Sequence, residues 1–279
     1  MEEYYFLFGL AFVWTIFAIV QDLKTQEVSN WLNFSFIVVG LAYRALYASA
    51  FSNWKFFVLG LAGFGIFFVF AWAFYYSRVF AGGDAKLLMG YGVILPYTSY
   101  WSLLYLGLGF VFVLFFVGAI YGVFYSFFIS LRDWGKFRGE FRRNLHKVKW
   151  LFAVAVVLAV LFFFLSEFLL WIAFVLFLMG GLVLYAYLRA VDKLMVKLKH
   201  WDELQEGDWL ERDVRIGSSV IRKSVHGLSL AEIRKIKRAR KRVLIKEGIP
   251  FTPSFLGALG IMVYASLTLG AFDVLEFLF

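Results

Sequence analysis

Long runs of apolar residues decide what this chain can become. Tyr4–Val20, Trp31–Ala50, Trp54–Tyr76, Trp101–Leu131, Trp150–Leu165, Phe168–Leu188 and Phe251–Phe279 each hold two charged residues at most. An α-helix needs about 20 such residues to cross about 30 Å of hydrocarbon. The 279 residues are 62% apolar and 17% charged, against about 45–50% and about 25% in a soluble domain. Disorder and an ordinary soluble enzyme are excluded. The fold expected is all-α, a polytopic transmembrane helix bundle.

An eighth and shorter apolar piece, Leu87–Tyr97, follows a Gly-rich turn. With it, about eight hydrophobic segments alternate cleanly between basic and non-basic connections. Arg132–Lys149 carries seven Lys and Arg and Arg189–Lys246 carries sixteen, while the opposite connections contain only Lys55. The positive-inside rule makes the basic side cytoplasmic and places both termini outside. The opening MEEYYFLFGL lacks the basic region of a cleaved signal peptide and reads as a retained first span. The expected organisation is a membrane part over 1–190, a cytoplasmic insert over 191–248 and a last transmembrane helix over 249–279.

The insert reads as a small mixed domain. GDWLERDVRIGSSVIRKSVHG holds short β-prone pieces between turn residues. Ser229-Leu-Ala-Glu232 then forms a capping box for a helix ending before Gly248. Its basic run, Arg234 through Arg242, is expected to face water or anionic headgroups of membrane lipids rather than nucleic acid. No cysteine is present, and His146, His200 and His226 lack metal-ligand spacing. Thiolate chemistry is excluded, and no metal or cofactor is expected.

Chemistry is then sought among acids in or beside the spans, where an unpaired charge is expensive. Glu167, Asp273 and Glu276 fall in external turns or ends, and Glu27 lies in the first cytoplasmic turn. Asp22 and Asp84 sit at cytoplasmic boundaries, on the same side and at similar depth. Asp22 ends the first span, where the helix dipole disfavours an anion and favours a protonated carboxyl. Asp84 opens the fourth segment, where the dipole favours a carboxylate. One carboxyl holding a proton beside one that activates water is the arrangement acid–base catalysis needs. The plain alternative is an Asp84 that caps its helix and an Asp22 that pairs with Lys24. Gly82 and Gly83, just before Asp84, allow close backbone approach or a positive φ.

Gln21-Asp22-Leu23-Lys24-Thr25-Gln26-Glu27-Val28-Ser29-Asn30-Trp31 resembles the first aspartate motif of type IV prepilin peptidases. Gly82-Gly83-Asp84-Ala85-Lys86 resembles their second, the GxGD motif, with Ala81 in place of the first glycine. Glu247-Gly248-Ile249-Pro250-Phe251-Thr252-Pro253 is similar to the close of archaeal members, the preflagellin peptidases. Val28-Ser29 stands where many members have Ile-Pro. The resemblance implies a membrane aspartic endopeptidase that removes the basic leader from precursors of pili or archaella at the cytoplasmic face. It implies Asp22 and Asp84 as catalytic residues, with Gly82, Gly83, Lys24, Asn30 and Lys86 as candidate supports. Many bacterial members carry a cysteine zinc site, for which this chain has no ligands.

Two other classes compete. An ion-coupled transporter or channel would use Asp22 and Asp84 as ion or proton sites, although neither lies at the midplane and no internal repeat is present. A non-catalytic assembly protein would use the basic insert to dock a partner.

Overall fold

The computed structural model describes residues 2–77, 79–164, 167–217, 219–224 and 227–268. Ser166, His226, Asp273, Glu276 and the end of the last expected span lie outside the described residues. Ten helices and five short strands follow one another along the described chain. The all-α membrane bundle expected from the apolar runs is what forms. The chain divides into two units, Met1–Val123 with Ile249–Phe279, and Phe124–Gly248.

The first unit holds α1 (Glu2–Thr25), α2 (Asn30–Ala50), α3 (Trp54–Tyr76), α4 (Gly82–Ile94), the start of α5 (Tyr100–Arg132) and α10 (Thr252–Thr268). α1, α2, α3 and α5, together with α8 (Phe168–Leu194) of the second unit, are long and apolar enough to cross a membrane. They keep large apolar side chains such as Phe12, Phe17, Trp72 and Phe116 on their outer surfaces. Such faces suit lipid, where only the helix backbone is already satisfied internally. The segment expected as a fourth crossing forms a helix of 13 residues, about 20 Å long. It is too short to span unaided, yet it runs from Asn33 near the start of α2 to Arg44 near its end and so still carries the chain across. Among the described residues five helices are long and apolar enough to span, or six with one bent pair. Leu87, Leu88, Tyr91, Val93 and Ile94 of α4 are all buried, which makes α4 the core of the unit rather than part of its wall.

Small residues let the neighbours close on α4. A Cβ on Gly63 of α3 would lie 2.3 Å from the carbonyl oxygen of Gly92, so the two backbones touch there. Close backbone contact of this kind is how helices associate where no hydrophobic force acts between them. Gly63→Ala is expected to destabilise the unit by about 1–3 kcal/mol, the usual cost of overpacking. A lowered unfolding midpoint in detergent checks this, and an unchanged midpoint refutes it.

Arg44 of α2 is fully buried and explains how α4 ends inside the bundle. Its Nε donates to Val93 O and its Nη2 to Leu95 O, the carbonyls at the end of α4, each at 2.7 Å. Its Nη1 donates to Phe56 O, also at 2.7 Å, and the guanidinium lies over the rings of Phe56 and Tyr4. The last carbonyls of a helix have no partner within it, and a cation there also meets the negative end of the dipole. Gly60 leaves the room: a Cβ there would stand 2.2 Å from Arg44 Cδ.

In the second unit, Arg132–Lys149 is not a plain basic connection. Trp134–Lys147 forms α6, an amphipathic helix that buries Phe137 against Tyr187, Ala190 and Val191 of α8 (Phe168–Leu194). α7 (Lys149–Phe163) follows α6 at a 55° bend, and the two count as a membrane span only as a pair. Trp171 Nε1 of α8 donates to Ala159 O of α7 at 2.8 Å.

The rest of the unit is the mixed insert. β1 (Val196–Lys199), β5 (Val243–Lys246) and β2 (Trp209–Leu210) form an antiparallel sheet in the order β1-β5-β2. β3 (Val214–Ile216) and β4 (Ser219–Ile221) pair separately. α9 (Leu230–Arg238) opens with the expected capping box at Ser229 and Glu232. It ends sooner than expected, because Arg240 adopts a φ of 46° and the chain turns into β5.

Candidate active site

Asp22 lies one turn before the end of α1 and is buried, 7% exposed. The turn that follows is fastened to its own helix ends. Gln26 takes a φ of 57°, its N–H bonding Asp22 O at 2.8 Å. The Gln21 side chain accepts from the Ser29 N–H at 3.0 Å, and Ser29 caps α2 by accepting from the Leu32 N–H. Val28 is thereby held inward, where it meets Gly83.

Gly83 and Asp84 belong to the first turn of α4. A Cβ on Gly83 would come 3.2 Å from Val28 Cβ and 3.3 Å from its backbone nitrogen, so close approach is the use made of this glycine. Both Gly82 and Gly83 are helical, and neither has a positive φ. Ala81, the cap of α4, sits at φ −68° and ψ 162°, which any L residue adopts. A methyl in place of the motif's first glycine therefore introduces no strain.

Asp84 is partly buried, with the Ala81 N–H beside its carboxylate. It lies close enough to Asp22 that the charge of one acts on the other. Residues 62 positions apart, on helices of opposite direction through the chain, thus share one polar site. Asn30 and Lys86 join across the same junction, Lys86 Nζ donating to Asn30 Oδ1 at 2.5 Å. Lys24 stands apart: it is exposed and has no hydrogen-bond or ion-pair partner among the described residues. The alternative pairing of Asp22 with Lys24 is not found.

Asp22 is met instead by the start of α10. Thr252 Oγ1 donates to Asp22 Oδ2 at 2.8 Å, and the Thr252 N–H donates to the same oxygen at 3.3 Å. The N–H of Phe251 faces the carboxylate as well. The expected disadvantage of an anion at the end of α1 is offset, because the positive end of a second helix is brought to it. Both aspartates therefore sit at helix N-termini.

Thr252 and Asn33 are the site residues that sequence reasoning left without a role. Asn33, fully buried one turn into α2, donates from Nδ2 to Gly83 O at 3.2 Å and leaves Oδ1 without a partner. A polar amide in an apolar span was the available signal for Asn33. For Thr252 it was a Thr-Pro pair opening a helix. Two turns deeper, Thr15 Oγ1 and Tyr91 OH are 2.5 Å apart, tying α1 to α4 on the faces that carry the aspartates. Among the described residues no three His, Asp or Glu converge as metal ligands would.

Residues 9–131 match the model of the type IV leader peptidase family. The resemblance carried by the two aspartate motifs is borne out over this segment. A preflagellin peptidase of Methanococcus maripaludis (strain C6 / ATCC BAA-1332) is 30% identical over 126 residues, covering 42% of this chain and 54% of that protein. A preflagellin peptidase of Methanococcus voltae is 26% identical over 89 residues, 32% of this chain and 38% of that protein. The matched stretch thus spans about half the length of the first relative and less of the second. No solved structure matches.

Proposed function

We propose that this chain, matched over residues 9–131 to type IV leader peptidases, is a multi-pass membrane endopeptidase of the aspartic type. Its substrates are precursors of pilin-like or archaellin-like proteins, from which it removes the basic leader. The observation that carries the reading is the close approach of the α1–α2 turn to the start of α4, Val28 against Gly83 and Lys86 bonded to Asn30, which brings buried Asp22 and partly buried Asp84 to one polar site inside the matched segment.

The reaction follows from two carboxyls that share one proton. The ionised carboxyl takes a proton from water as its oxygen attacks the scissile carbonyl. The protonated partner gives its hydrogen to the carbonyl oxygen. Collapse of the tetrahedral intermediate breaks the C–N bond: a gem-diol hydroxyl returns its proton to the ionised carboxylate while the leaving nitrogen takes the proton held by the other, which restores the one shared proton. Two nearby carboxyls that cannot both ionise are suited to this exchange. Gly83 supports the pair by letting Val28 close on α4, whereas a Cβ on Gly82 would meet only Tyr75 Cε2, at an ordinary 3.7 Å. Asn30 and Lys86 fasten the α1–α2 turn to α4. Lys24 faces outward, available to headgroups or to the substrate rather than to the pair.

The cytoplasmic face is assigned from the Lys and Arg of Arg132–Lys149 and Arg189–Lys246. A substrate helix then stays in lipid while its leader remains in water, and only the junction reaches the aspartates. The test uses the full chain in detergent with a precursor whose basic leader precedes a hydrophobic helix. A single cut just before that helix, located by mass spectrometry, is the expected result, and an intact precursor overturns the reading. Screened charge pairs contribute about 0.2–1 kcal/mol each, so neutralising one leader lysine should change the rate only a few-fold. Inserting one to four residues before the helix moves the junction off the pair and should stop cleavage.

A further inference from the structure

We propose that Thr252 is a positioning residue for Asp22, fixing which of its two oxygens takes part in proton transfer. The inference rests on the aspartic reading of the site and concerns a residue beyond the matched segment, 230 positions from its partner.

Thr252 is fully buried, and its hydroxyl and its N–H both point at a single oxygen, Asp22 Oδ2. Pro253 has no N–H to offer, and the Ser254 N–H is spent on Phe251 O at 3.0 Å. The donors at the start of α10 that reach Asp22 are therefore those of Phe251 and Thr252. An oxygen that already accepts from two donors is a poor place for a proton, since the added hydrogen would oppose both. Neither Thr252 donor reaches Oδ1, which is left as the oxygen that faces the shared proton and the water. Without the hydroxyl, the carboxyl turns more freely about its Cβ–Cγ bond and the two oxygens lose their separate duties. A loss of alignment of this kind lowers the chemical step while leaving substrate contacts intact.

The experiment compares Thr252→Val, which keeps the shape and removes the hydroxyl, with Thr252→Ser, which keeps the hydroxyl. For Thr252→Val, kcat on the precursor is expected to fall about 10- to 100-fold with KM unchanged. Thr252→Ser should return kcat to within about 3-fold of the parent chain, because the donor is restored. Unfolding midpoints in detergent are measured alongside. Should Thr252→Val prove unstable, Thr252→Ala against Thr252→Ser supplies the same comparison. The proposal is overturned if kcat of the hydroxyl-free variant is normal, if only KM changes, or if Thr252→Ser is as impaired as Thr252→Val. The reading beneath it fails differently, through cleavage that survives Asp84→Asn.

Discussion

Asp22→Asn and Asp84→Asn should each lower precursor cleavage by at least about 10⁴-fold, while the protein stays folded and in the membrane. Asparagine keeps the shape of the side chain, and its amide oxygen can still accept from Thr252 at position 22. What it cannot do is hold and release the proton that the pair must exchange with water and with the scissile carbonyl. Because the two groups act as one unit, the double variant should be no worse than either single one. Precursor cleavage is followed on gels at equal protein, with unfolding midpoints as the control for folding. Appreciable turnover in either single variant would sink the aspartic assignment. A chain that never cleaves the precursor, yet moves ions in vesicles in a way these variants abolish, would favour the transporter class.

Arg44→Met is expected to destabilise the first unit by about 3–5 kcal/mol, since a buried acceptor left without its donor costs about 1–3 kcal/mol and three are exposed to that loss. Met fills much of the volume but donates nothing. Three carbonyls then lose a partner, two of them at the end of α4, where no water replaces it. Arg44→Lys should fall nearly as far, because one ammonium cannot match a planar fork aimed at three oxygens. The check is the unfolding midpoint of the purified chain in detergent. Equal midpoints for the Met variant and the parent would mean that the end of α4 is satisfied by other means. Activity should fall together with stability, since α4 carries Asp84.

The apolar runs were legible because length and composition alone settle whether a helix suits lipid. The aspartates were legible because each stands in a distinctive local motif, Gln21 to Trp31 and Gly82 to Lys86. The start of α9 was legible for the same reason, its capping box being complete within four residues. What escaped was tertiary. Thr252 reaches Asp22 across the whole length of the chain, and no local pattern announces that contact. Arg44 is a lone cation in an apolar span with no local pattern around it, yet it is what permits α4 to be short. The basic stretch at Arg132–Lys149 read as a connection because its charges hide the spacing of Phe137 and Phe141, which hold α6 on α8. The end of α9 was misplaced because pairing of β5 with β1, not helix propensity, decides where that helix stops.

The capped end of α4 also bears on how the protein enters its membrane. A helix of 13 residues that begins Gly-Gly-Asp has little reason to leave a translocation channel for lipid by itself. Its carbonyl end would be bare until Arg44 arrives, and Arg44 would be an unpaired cation in hydrocarbon until α4 arrives. Each cancels the other's barrier to partitioning, so α2, α3 and α4 are expected to insert as one hairpin-plus-helix step rather than one after another. In that order of events the aspartate of α4 would arrive beside α1 before the last helix is added.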